Sequence, residues 1–103
     1  MPTSEPTVTL NAAHHRFELM TDGKLSLLAF IQPDEHTLAL THTEVHPDLE
    51  GKGIGSRLVN QTLAYVEAHH QKIVPLCPFV ATYIKRHPEW QRLVSTEYSE
   101  ADF

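Results

Sequence analysis

The chain has 103 residues, 41% of them hydrophobic, and a formal net charge of −5. That length supports one hydrophobic core and not two, and the acidic balance argues against a nucleic-acid partner held through its phosphates. The single cysteine, Cys77, excludes an internal disulfide. The first residues lack the basic and apolar regions of a signal peptide, and no apolar run approaches the ~20 residues of a membrane helix, so the expected location is the cytoplasm with no membrane partner.

Residues 1–7 carry two prolines and small polar side chains, the composition of a flexible tail. Residues 14–20 alternate polar and apolar, as a half-buried strand does. Asp22-Gly23 follows, a hairpin signal because glycine tolerates positive φ. From Lys24 to Ile31, Leu25, Leu27, Ala29 and Ile31 share one face and Leu28 and Phe30 the other, which predicts a strand covered on both sides. Pro33-Asp34-Glu35 predicts a second turn. Residues 36–45 then predict a third strand, with Leu38, Leu40, His42 and Glu44 on one face. The three strands make an antiparallel meander.

The period then changes. From Ser56 to about His70, Leu58, Val59, Leu63 and Val66 recur at helical spacing, with His69 and His70 closing the helix. Residues 72–76 form a short apolar run that suits a buried strand, parallel to 36–45 through a right-handed crossover. Residues 79–86 read as a short helix, ended at His87-Pro88 because proline disfavours helix in the residue before it. The stretch 95–103 reads as an acidic, flexible tail. The predicted order is β-β-β-α-β-α: one domain of mixed α/β (α+β) class.

The chemistry concentrates at Glu50-Gly51-Lys52-Gly53-Ile54-Gly55, between a strand and a helix. The first helical turn has backbone N–H groups without partners, and the macrodipole makes that end positive. Glycines admit a phosphate closely, and Lys52 adds charge. The spacing is neither a Walker A loop nor a dinucleotide fingerprint, and a plain glycine-rich turn is the bland alternative. Eight histidines invite a metal, but the pairs His14-His15 and His69-His70 point to different sides of their elements, and no metal is expected.

The run from Thr43 to Leu58, with Pro47 in the turn and Gly51, Gly53 and Gly55 before the helix, resembles the signature of the GNAT superfamily of acetyl-CoA-dependent N-acetyltransferases. Thr41-His42-Thr43, Cys77 and Tyr83-Ile84-Lys85-Arg86-His87-Pro88-Glu89-Trp90 resemble a subfamily of very short members, with a His in the central strand and a Cys at the end of the next. The similarity runs from roughly His14 to Trp90. It implies a GNAT-like mixed sheet and acetyl transfer from acetyl-CoA to an amine, in a small molecule or a protein, by a monomer or homodimer. The coenzyme would lie on Val45, Glu50, Gly51, Lys52, Gly53, Ile54, Gly55 and Ser56, the pantetheine arm between two strands that splay apart. Pro75 and Pro78 beside Cys77 fit a strand leaving its ladder.

One position departs from that signature: Glu50 stands where Gln or Arg is usual, and a carboxylate turned toward a diphosphate would repel it. Among the candidate catalytic groups, His42 is the base, because an imidazole titrates near neutral pH; a satisfied core histidine is its bland reading. Cys77 either accepts the acetyl group or donates a proton to the leaving thiolate, against the bland reading of an inert buried thiol. Tyr83 reads as packing rather than as an acid. Glu44 orients the acceptor or partners His42. Lys85 and Arg86 form a solvated basic face or reach the coenzyme's phosphates. The alternative function is a non-catalytic coenzyme-A-binding regulatory or interaction module.

Overall fold

The computed structural model describes residues 7–103, so the expected tail at 1–7 lies, apart from Thr7, outside the described residues. Five strands form one sheet in the order β1-β2-β3-β4-β5: β1 (Thr9–Asn11), β2 (Arg16–Thr21), β3 (Lys24–Asp34), β4 (Thr37–Glu44) and β5 (Lys72–Pro75). The first four are antiparallel in sequence, and β5 joins β4 in parallel. Helix α1 (Ile54–Ala68) connects β4 to β5, and α2 (Pro78–Arg86) follows β5. The expected meander, crossover helix, parallel strand and final helix are all present. The short edge strand β1 is an addition; three residues with exposed side chains at two positions carry too little alternation to be read.

Local chemistry explains the turns. Thr21 pairs with Lys24 across Asp22 and Gly23, which have φ of 52° and 76°, as a two-residue primed turn requires. The second turn sits later than the Pro33-Asp34-Glu35 reading. β3 runs to Asp34, which pairs with Thr37, and the Asp34 carboxylate accepts the His36 N–H at 2.7 Å. An Asx-type bond closes the turn one step beyond the proline. Pro33 lies where the β3–β4 register shifts, a place that tolerates a missing N–H.

One core joins the sheet to both helices. Phe17, Leu19, Leu28, Phe30, Leu38, Leu40 and Ile73 meet Leu58, Val59, Leu63, Val66, Val80 and Ile84. Each such side chain contributes about 1.5–3 kcal/mol when fully buried. The face of the sheet away from the helices is only partly covered. Leu25, Leu27 and Ala29 are half-buried and Ile31 is 50% exposed, so the expectation that β3 is covered on both sides is corrected: long core side chains come from one face only.

The C-terminal stretch, expected as a flexible tail, packs back onto the sheet. Val94 bridges Ile73 in parallel, and Ser95 N–H donates to the Ile73 carbonyl at 2.7 Å, which covers the outer edge of β5. The Tyr98 hydroxyl donates to Asp34 at 2.8 Å. That bond, first, and the His36 N–H hold the Asp34 carboxyl below its ordinary value, while Asp34 pushes the Tyr98 phenol above its own. The signs bound a pH window. A depressed carboxylate contributes above its unfolded pKa and is lost as pH falls through the folded one; a raised phenol contributes below its unfolded pKa and is lost as pH rises through the folded one. Protection of the 95–103 amides, the ratio of intrinsic to observed exchange rate, is therefore expected to fall both in acid, below the usual carboxylate range, and in alkali, above the usual phenol range. Tyr98→Phe should lower that protection already at neutral pH and remove the alkaline step.

Candidate active site

The link from β4 to α1 is pinned before it reaches the glycines. His46 accepts the Asp48 N–H on Nδ1 at 3.1 Å, the Leu49 N–H reaches the His46 carbonyl at 2.8 Å, and Leu49 is 2% exposed, an anchor in the core. Glu50 and Lys52 donate their N–H groups to Pro47 and Leu49. Gly53 then forms the N-cap of α1 with φ 73° and ψ 16°, and no side chain caps the helix. The first-turn amides of Ile54, Gly55 and Ser56 thus lack both intrahelical acceptors and a capping oxygen. Gly55 is needed for a different reason: a Cβ there would sit 2.7 Å from Cζ of Phe79.

Val45, Leu49, Glu50, Gly51, Gly53, Ile54, Gly55, Ser56 and Phe79 line a depression of about 300 Å³. Of the residues expected to hold a coenzyme, Lys52 alone is outside this lining, and its side chain is exposed. Glu50 is exposed in an extended conformation at the rim. Phe79 and Leu49 escaped the sequence reading; the only signal for Phe79 was the small residue it rests on, two elements away.

Beside the depression the strands part. The parallel ladder ends at Leu40–Pro75, closed by the Cys77 N–H on the Leu40 carbonyl at 2.8 Å, whereas β3 stays paired to β4 as far as Glu44. Pro75 and Pro78 act differently here. Pro75 is the last ladder residue, and Pro78 opens α2, where its missing N–H costs nothing.

A register shift corrects the faces. Phe30 pairs with Leu40 but Ala29 pairs with His42, so Thr41 is bulged. Leu38 and Leu40 point into the core, while His42 and Glu44 turn to the open face and Thr43 takes the core side opposite Leu28. The shared face of Leu38, Leu40, His42 and Glu44 does not exist, and the core-histidine reading goes with it. His42 Nε2 meets Glu44 Oε2 at 2.9 Å with both side chains well exposed. Cys77 is 5% exposed, and its Sγ lies 3.3 Å from Thr43 Oγ1. His42 and Cys77 therefore flank the same strand from opposite faces and do not form a pair. Tyr83 is nearly buried and accepts a hydrogen bond from Asn60. Among the described residues no group of three or more His, Cys, Asp or Glu could hold a metal ion, and no helix is long and apolar enough to cross a membrane.

A mixed sheet whose parallel strands part beside a glycine loop and an uncapped helix start defines a GNAT-like α/β fold. The NMR solution structure of a GCN5-like protein from Staphylococcus aureus has that fold: it superposes with a TM-score of 0.67 over 90% of this chain and 91% of that one, at 19% identity. Residues 16–93 match the GCN5-related N-acetyl-transferase family, and the chain belongs to that family. No curated protein matches the chain at comparable stringency.

Proposed function

We propose that this chain transfers an acetyl group from acetyl-CoA to an amine. The observation that carries the reading is the uncapped, glycine-framed start of α1 opening onto a depression beside the β4–β5 split. Bound acetyl-CoA would supply an activated acetyl thioester. The amides of Ile54, Gly55 and Ser56 hold its diphosphate, and Lys52 adds positive charge nearby. Val45 and the one-sided stretch of β4 take up the pantetheine arm by strand-like pairing. His42 removes the proton from the acceptor nitrogen on the open face, with Glu44 holding the ring. Cys77, on the other face of β4, gives a proton to the departing thiolate. Because an imidazole on one face is no base for a thiol on the other, the acetyl group passes directly to the amine. An exposed His–Glu pair leaves that face open to a small amine or to an amine on a protein surface.

Intact mass and thermal unfolding in the presence of acetyl-CoA test this. Acetyl-CoA should raise the unfolding temperature of wild type and of Cys77→Ala alike, and amines should release free thiol. A mass increase of about 42 Da, lost in Cys77→Ala, would replace direct transfer by an acetyl-cysteine route. A thermal shift with no thiol release for any amine would leave only a coenzyme-binding module. No shift at millimolar acetyl-CoA would overturn the reading altogether.

A further inference from the structure

A second, smaller cavity of about 130 Å³ adjoins the first and shares Ser56 and Phe79 with it; Thr82, Tyr83, Arg86 and His87 complete its lining. We infer that this cavity is a phosphate-monoester site, and that it takes the 3′-phosphate of the coenzyme whose diphosphate lies on the α1 amides. The inference rests on the cofactor reading above.

The lining is built for an anion. Five of its six residues carry hydrogen-bond donors and none is a carboxylate, in a chain with 13 acidic and 8 basic side chains. Tyr83 is 9% exposed, and its hydroxyl accepts from Asn60 Nδ2 at 3.1 Å, which leaves the phenolic hydrogen free to donate. Arg16 and Arg92 are neutralised by Glu18 and Glu67, whereas Arg86 has no ion-pair partner among the described residues. Glu89 lies 3.9 Å from His87 Nδ1 and does not itself line the cavity. Arg86 and His87 stand at the carbonyl end of α2, which by itself disfavours an anion, so the guanidinium is what makes the cavity attractive to phosphate.

Two neighbouring anion sites of different construction suit a ligand with two separate phosphate centres. Main-chain amides meet the diphosphate, and a guanidinium with hydroxyls meets the monoester. A ligand ending in the diphosphate alone would leave the Arg86 cavity unfilled.

Calorimetric titration of the whole chain with coenzyme A and with 3′-dephospho-coenzyme A decides the matter. Wild type should bind coenzyme A about tenfold or more tightly than the dephospho form, the factor a charge-assisted hydrogen bond confers. Arg86→Ala should lose that factor for coenzyme A, leave the dephospho form unchanged and bring the ratio to about one. Arg86 is exposed, and unchanged thermal unfolding of the free variant would establish that it folds. Equal binding of both forms by wild type, or equal weakening of both by Arg86→Ala, overturns the monoester site and leaves the diphosphate site standing. Failure of wild type to bind either form overturns both.

Discussion

Gly53→Val should abolish acetyl-CoA binding in a chain that still folds. Gly53 has φ 73°, and a Cβ at this position would meet nothing within 4 Å. The obstacle is therefore conformational and not steric contact with a neighbour. A left-handed backbone costs an ordinary residue about 1–2 kcal/mol, and a branched Cβ is worse placed there still. The loop is exposed and can relax, so the fold survives. Relaxation moves the N-cap of α1, and the amides of Ile54, Gly55 and Ser56 turn with it. A diphosphate needs several of those amides at once, and loss of two hydrogen bonds to a charged group is worth roughly 3–6 kcal/mol. Titration calorimetry should show the dissociation constant rise by at least about a hundredfold, with an unchanged circular dichroism spectrum. Gly53→Asn, which tolerates left-handed geometry, should keep most of the affinity. Wild-type binding by the valine variant would mean that the anion lies elsewhere.

His42→Ala should lower kcat by about 10²- to 10⁴-fold, the usual worth of a positioned general base, and leave coenzyme affinity nearly unchanged. The imidazole projects from the open face of β4, away from the amides of α1 and from the Thr43–Cys77 contact. Its removal alters no core packing and takes away one proton acceptor. Glu44 touches His42 Nε2 and acts through it, so Glu44→Gln should cost less and Glu44→Asp should recover part of the loss. Steady-state assays with a fixed amine, alongside coenzyme titration of each variant, separate the two effects. A drop in kcat smaller than about fivefold for His42→Ala would remove it from the chemistry.

Much of this molecule was legible along the chain because the signals are local. Alternation marked β2, β3 and β4, the spacing of Leu58, Val59, Leu63 and Val66 marked α1, and the pair Asp22-Gly23 marked the hairpin. The site was half legible. Gly51, Gly53 and Gly55 could be placed before a helix, since a strand, a turn and a helix follow one another there. Their partners in the depression, Leu49 and Phe79, were not readable, because neither follows a spacing rule. Thr43 is a similar case: it meets Cys77 across 34 positions of sequence.

The sequence by itself determined the element order from β2 to α2, the parallel return of β5 and the position of the glycine loop at the start of α1. The order and the loop depend on residues a few places apart, whose geometry the backbone imposes directly, and the parallel return follows from the handedness of a strand–helix–strand crossover. The tertiary structure alone decided that His42 and Glu44 face outward, that Cys77 lies across the strand from them, and that the C-terminal stretch closes the sheet edge. The reason is the same in each case. A single bulged residue, Thr41, reverses every side chain after it, and whether a strand bulges or a tail docks is settled by partners from distant parts of the chain.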